Sequence, residues 1–263
     1  MLYNRPMGAD GQIIRSRSNA GLKRLRAVLA GRERGLLVLE GEKLVRDVID
    51  QGGPLESLFV CAERPELLES LGVAGTLVES ELLQQASGLK TSPGVMALAP
   101  VPRSLTFDQL DLDHDPLLLV VDGVADPGNL GALARSAEAA GARAMVIIAG
   151  GTSPWNSRAV RGSMGSVLRL PVVLADKAPE VGAQLHRLGF RQAMAATRGG
   201  ATPGSYDWSG PLALWVGPET GARPNSGHDL DPITIPMASS VESLNLGVAL
   251  SLLLFSAGRV EQP

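Results

Sequence analysis

Three short runs hold the residues whose types and spacing could do chemistry. In DPGNLGALARSAEAAG, residues 126–141, Asn129 and Arg135 stand in a stretch of otherwise small residues. In GPETG, residues 217–221, a single carboxylate, Glu219, sits in a tight turn. In MASSVESLNLG, residues 237–247, Ser243 and Asn245 precede a long apolar run. A guanidinium holds its proton at any physiological pH and presents a planar fork of donors, so Arg135 suits gripping and stabilising an anion. A loop of the GPETG kind exposes backbone N–H and C=O groups beside one fixed carboxylate, a cradle for a small polar ligand.

Part of this is ordinary helix chemistry. Asp126 can cap a helix whose first position suits Pro127. Ser239 stands three residues before Glu242, a capping-box spacing, and Ser243 and Asn245 also read as further caps. Gly128 and Gly131 are harder to explain locally, because a glycine inside a helix costs about 1 kcal/mol relative to alanine. Arg135 lies one turn beyond Gly131 on the same face, so the missing side chain would leave space over the guanidinium that a polyanion could use. Asn129 and Arg135 point apart if both are in regular helix, so contact between them requires Asn129 to lie in the turn. The spacing GNLG is not the Gly-x-Gly-x-x-Gly of dinucleotide binders, and no Gly-x-x-x-x-Gly-Lys-Ser/Thr occurs.

The elements that must position these runs follow from apolar patterning. PLLLVVD (116–122), AMVIIA (144–149), LPVVL (170–174), RQAMAAT (191–197), PLALWVG (211–217) and PITIP (232–236) read as strands separated by loops or helices. Strands joined by crossovers make a mostly parallel sheet, whose ligands lie beyond the carboxyl ends of the strands. Residues 36–99 alternate short apolar runs with helical segments and read as a small α/β domain of their own. The Pro- and Asp-rich stretch near 100–116 links the two, which divides the chain into domains 1–105 and 106–263.

Composition narrows the class. Of 263 residues 44% are apolar and only 3% aromatic, so the core is built of Leu, Val, Ile and Ala, as in helices packed on a parallel sheet. One cysteine, Cys61, excludes an internal disulfide, and His114, His186 and His228 have no metal-ligand spacing; a cytoplasmic chain without metal fits. The start MLYNRPMGADGQIIRSR has no signal-peptide run. Leu244–Phe255 is too short to span a bilayer and, being apolar nearly all round, reads as a buried helix. The net charge is −3, but residues 1–35 carry eight Lys or Arg against two acids, and 134–170 five Arg against Glu138 alone. Such runs read either as solvated faces or as a footprint for nucleic acid.

Taken together and in order, DPGNLGALARSAEAAG, WVGPETGARP and IPMASSVESLNLGVAL resemble the three motifs of the SpoU (TrmH-like) RNA 2′-O-ribose methyltransferases of the SPOUT superfamily. VLEGEKLVRDVI and KTSPGVMALA resemble the L30e-like substrate-binding domain found in many members. The resemblance implies a catalytic domain with a mostly parallel sheet and a deep trefoil knot, and a homodimer whose active sites are completed across the interface. It implies S-adenosylmethionine as cofactor, held by backbone groups of the loops at 217–221, 235–239 and 243–246. Thr197, Gly217, Pro218, Gly221 and Asn245 would contact it, and Leu214, Ile235, Met237 and Leu244 would form apolar walls. Pro218 departs from the Asn or Asp of many relatives and removes one backbone donor.

By motif position the catalytic set is Asn129, Arg135, Glu219, Ser243 and Asn245. Arg135 would grip a phosphate and stabilise charge on the ribose oxygen, while the others orient it, the substrate and the cofactor loops. SRAVRGSMGSVLRLP, 157–171, resembles a family segment near the RNA, which assigns Arg158, Arg161 and Ser163 to substrate. Arg15, Arg17, Lys23, Arg24 and Arg26 of the basic N-terminal stretch join them. The implied substrate is structured RNA, ribosomal favoured over transfer RNA. A knotted RNA-binding protein without turnover and a small-molecule α/β enzyme are the alternatives.

Overall fold

A computed structural model describes residues 13–218, 222–238 and 240–260. The chain forms two compact units, the first made of the chain up to Pro102 together with Trp155–Ser157 and the second of Arg103–Pro154 and Arg158–Pro263.

The first unit runs α1 (Ala20–Leu29), β1 (Leu36–Glu40), α2 (Glu42–Asp50), β2 (Ser57–Cys61), α3 (Glu66–Leu71), β3 (Thr76–Val78), α4 (Ser80–Ala86) and β4 (Val95–Pro100). Its sheet has the order β1-β4-β2-β3, antiparallel except for the β2–β3 pair. Asn19 caps α1 by accepting from the Gly21 and Leu22 N–H groups. Leu22, Leu25 and Val28 face Val38, Phe59 and Leu98 in the core, which leaves the basic residues of α1 on the other side.

The second unit runs β5 (Leu117–Asp122), α5 (Pro127–Ala139), β6 (Ala144–Ile148), α6 (Ser157–Gly162), α7 (Ser166–Arg169), β7 (Val172–Ala175), α8 (Ala178–Arg187), β8 (Arg191–Ala196), β9 (Leu212–Val216), β10 (Asp231–Thr234) and α9 (Leu246–Ala257). Its six strands are all parallel in the order β10-β8-β9-β5-β6-β7, as the six apolar runs predict. The central strands β5 and β9 are buried along nearly their whole length, which is why they read as continuous apolar runs without alternation. The largest side chain in this core, Trp215, keeps its polar atom satisfied: Nε1 donates to Gln192 Oε1 at 3.1 Å, and Gln192 Nε2 donates to the Gly182 carbonyl at 3.0 Å.

Helix α5 starts as its sequence dictates. Asp126 is the N-cap, its Oδ1 accepting from the Asn129 N–H at 2.8 Å, with Pro127 in the first turn. Gly131, however, leaves no open space. A Cβ on Gly131 would lie 2.6 Å from the Ala159 carbonyl oxygen and 2.8 Å from the Ser163 nitrogen, so α6 occupies the space over Gly131. On the α6 side, a Cβ on Gly162 would come 3.4 Å from the Gly128 oxygen and 3.7 Å from the Gly131 Cα. The expectation of an open space for a polyanion is therefore corrected: glycine is needed for backbone-to-backbone helix packing. Gly131→Ala is expected to destabilise the fold by about 2 kcal/mol, because overpacking against immobile backbone outweighs the gain in helix propensity of about 1 kcal/mol. A urea denaturation midpoint lowered at unchanged slope would register it.

The opposite face of α5 meets α9. Ser136 Oγ and Ser251 Oγ are 2.7 Å apart, and a Cβ on Gly247 would sit 3.6 Å from that of Ala132. Helix α9 buries Leu250, Leu253 and Leu254, but Val248, Leu252 and Phe255 are 50%, 48% and 61% exposed. The all-apolar run is thus not a fully buried helix; one stripe of it, at i, i+4 and i+7, is uncovered in the single chain.

Candidate active site

A cavity of about 640 Å³ opens at the carboxyl ends of β8, β9 and β10, against the start of α9. This is where a parallel sheet places its ligands, because the loops leaving neighbouring strands diverge there. Ala196 and Thr197 end β8, Gly217 and Pro218 leave β9, Ile235 and Met237 follow β10, and Ser243, Leu244 and Asn245 lead into α9. Met194, Ile233, Leu250 and Leu253 make an apolar floor. From the other side of the β5–β9 pair, Asn129 in the first turn of α5 reaches the same cavity. Residues from all three sequence motifs therefore line one site.

The loop after β9 is shaped by Gly217. A Cβ there would overlap the Ala222 carbonyl oxygen and come 3.2 Å from Pro224 Cδ, so only glycine lets this loop double back on itself. Gly123 stands at φ +76° after β5, where a Cβ would be 3.5 Å from Pro218 Cβ, so the β5 and β9 loops pack closely. Asp122, at the end of β5, accepts from the Asn225 backbone N–H; burial raises its carboxyl above the usual range, and that hydrogen bond partly offsets the rise. Asn245 is the N-cap of α9, its Oδ1 accepting from the Val248 N–H at 3.3 Å, while it also lines the cavity. Asn245 thus caps α9 and lines the cavity at once.

Other sequence-derived residues fall elsewhere. Leu214 is fully buried in the middle of β9, short of the carboxyl end where Val216 and Gly217 reach the cavity, and is not among the lining residues. Ser163 is likewise corrected. It is fully buried, its Oγ donating to the Val160 carbonyl at 2.8 Å and accepting from the Val167 N–H at 3.4 Å, and no RNA can reach it. Glu219, Gly221 and the capping residue Ser239 lie outside the described residues.

Asn129 and Arg135 are both inside regular α5, so they point about 120° apart around the helix. Arg135 is exposed, is not among the cavity-lining residues, and makes no hydrogen bond or ion pair among the described residues. The chain's own cavity therefore receives Asn129 and not Arg135. Arg158 pairs with Asp126 at 3.3 Å, and Arg161 is half-buried and engaged. In the first unit, Arg15, Arg17 and Lys23 are exposed, Arg24 is tied to Glu33 and Glu56, and Arg26 donates to the Arg17 carbonyl.

Proton chemistry in the cavity is sparse. Among the described lining residues there is no Asp, Glu, His, Lys, Cys or Tyr, so none of them accepts a proton near neutrality. Tyr206, away from the lining, is pushed up to about 12 by burial and by its hydrogen bond to Asp231, and stays protonated. No group of three or more His, Cys, Asp or Glu among the described residues could hold a metal ion. No helix among them is long and apolar enough to cross a membrane.

The sequence reading missed Arg198 and Arg223, which also line the cavity. A signal was available for Arg198, since it follows the end of β8 by two residues and carboxyl-end loops carry ligands. The lining part of α9 had none, because an apolar residue facing a cavity is the same type as one facing a core.

Known proteins resemble this arrangement. The chain is 34% identical over 196 residues to the 23S rRNA (guanosine-2′-O-)-methyltransferase of Ralstonia nicotianae, covering 73% of this chain and 79% of that one. It is 26% identical over 262 residues to the 23S rRNA (uridine(2479)-2′-O)-methyltransferase of Streptomyces viridochromogenes, covering 92% and 90%. The structure superposes with a TM-score of 0.81 on an AdoMet-bound rRNA methyltransferase from Sinorhizobium meliloti, at 25% identity, covering 94% of this chain and 97% of that one. Residues 116–255, which hold the cavity and all three motifs, match the model of the SpoU rRNA Methylase family, and the chain belongs to that family.

Proposed function

We propose that the protein transfers the methyl group of S-adenosylmethionine to a ribose 2′-hydroxyl of structured RNA, with 23S ribosomal RNA as the substrate. The observation that carries this reading is the convergence of all three motifs on one cavity with an apolar floor and exposed loop backbone. An adenine ring suits the floor formed by Met194, Ile233 and Leu253, and the loop groups at Thr197, Gly217 and Met237 suit its polar edge. Both relatives aligned above by sequence act on 23S rRNA by name, which favours ribosomal over transfer RNA.

The reaction is an in-line displacement. The ribose oxygen forms a bond to the methyl carbon, the sulfur–methyl bond breaks, and neutral S-adenosylhomocysteine leaves. The 2′-hydroxyl proton passes to solvent water and the developing alkoxide is stabilised by fixed charge. Arg135 supplies that charge and grips the adjacent phosphate, while Asn129, Ser243, Asn245 and Glu219 orient substrate and cofactor loops.

Because Arg135 does not line its own chain's cavity, it serves the site of a second copy. The uncovered stripe of α9 suits that assembly, since α9 packs beside α5 and three large apolar side chains there need cover. Replacing Leu252 and Phe255 together with Asp is expected to convert the protein to a monomer in sedimentation velocity and to reduce methyl transfer to background. A dimer that persists in the variant contradicts this interface. The catalytic unit carries the trefoil knot of its family, a threading consistent with the order β10-β8-β9-β5-β6-β7. The first unit is the RNA-docking domain, presenting Arg15, Arg17 and Lys23, and the protein works in the cytoplasm.

The test is transfer from tritiated S-adenosylmethionine to total ribosomal and total transfer RNA in separate reactions. Label in 23S rRNA that leaves a linkage resistant to alkali is the expected result. Label only in transfer RNA corrects the substrate, and no label in either despite bound donor overturns the reading.

A further inference from the structure

Most arginines of the second unit are already engaged. Arg143, Arg158, Arg169 and Arg191 each pair with an acid, and Arg259 donates to the backbone carbonyls of Asp115, Trp208 and Gly210. Arg198 and Arg223 differ. Both line the cavity, both are exposed, and among the described residues neither is hydrogen-bonded or ion-paired. They come from the loops leaving β8 and β9, neighbouring strands in the sheet, so two guanidiniums project from adjacent loops at the mouth of one site.

A fork of donors left uncommitted is a site for an oxyanion. Two anions could come to this mouth, the carboxylate of the methyl donor and the phosphodiesters of the RNA. The donor is a poor match, because its sulfonium and ammonium groups give it a net positive charge, which two further cations repel. The exposure of both side chains places them on the solvent side, from which the RNA must approach, while the apolar floor lies deeper. We propose that Arg198 and Arg223 form a phosphodiester-gripping rim that holds the RNA backbone next to the ribose being methylated. This rests on the methyltransferase reading, and it adds to the single charge of Arg135 a pair of charges on the cofactor-binding chain itself.

The test compares the full-length protein with the double variants Arg198→Gln, Arg223→Gln and Arg198→Lys, Arg223→Lys. Deproteinised 23S rRNA binding is measured across a salt series, and S-adenosylmethionine binding by calorimetry. Loss of two phosphate contacts is expected to flatten the slope of log affinity against log salt by about 1.4. The glutamine variant should show that flattening with donor affinity unchanged, and the lysine variant should retain the original slope. Weakened donor binding with an unchanged RNA slope overturns the proposal in favour of the donor carboxylate. No change in either measurement also overturns it. If the wild type binds no donor but the glutamine variant still flattens the RNA slope, the rim stands and the methyltransferase reading falls.

Discussion

Arg135→Ala is expected to lower kcat by about 10²–10³-fold, the usual cost of removing one preorganised charge from a developing oxyanion, with the affinity for S-adenosylmethionine unchanged. The second half of that expectation follows from geometry, since Arg135 does not line the donor cavity of its own chain. Loss of activity alone does not separate a charge stabiliser from a general base, but Arg135→Lys does. Lysine, with a pKa near 10.4, is a far better proton acceptor than guanidinium. If Arg135 acted as a base, the lysine variant would gain activity steeply as pH approaches 10. A charge stabiliser predicts a modest residual rate without that rise, because one point charge replaces a two-pronged grip. Single-turnover methyl transfer between pH 7 and 10 distinguishes the two.

Gly217→Ala is expected to weaken S-adenosylmethionine binding by about 5- to 150-fold, corresponding to the ~1–3 kcal/mol of overpacking strain. The added methyl would overlap the Ala222 carbonyl oxygen, which cannot withdraw without opening the loop that doubles back over Pro224. Where donor binding requires the wild-type path of the chain at Gly217, the strain appears as lost affinity. The thermal midpoint should move little, because the loop lies at the rim of the sheet and not in the core cluster around Trp215. Calorimetry beside a melting curve reads both quantities. A large loss of thermal stability with undiminished affinity would contradict this account of Gly217.

The contrast between Gly131 and Gly217 shows what a sequence can and cannot disclose. Both are glycines where glycine is costly or unusual, and both signal close approach. What approaches is invisible locally: α6 backbone at Gly131, and the chain's own returning loop at Gly217. The strands were legible because β5, β6 and β9 are buried on both faces and their Leu, Val and Ile runs have no other soluble use. The same logic misled at Leu214, where a motif-adjacent apolar residue belongs to the core, and at Ser163, a polar residue satisfied entirely by neighbouring backbone.

Helix α9 carries the largest discrepancy. Its composition says that every face must be covered, and a single chain covers Leu250, Leu253 and Leu254 but not Val248, Leu252 and Phe255. Hydrophobicity dictates cover without specifying which molecule provides it. Asn129 and Arg135 pose the related problem in the site. Six residues apart in one helix, they point to different sides of it, so a single motif serves two surfaces of the chain.

Photocrosslinking of radiolabelled S-adenosylmethionine, followed by peptide mapping, tests most directly that the donor lies where the three motifs meet. Label is predicted in peptides that contain 194–198, 216–224 or 243–253, and nowhere in the first unit. Label confined to the first unit, or to strand β6 or β7 on the far side of the sheet, would contradict the assignment of this cavity.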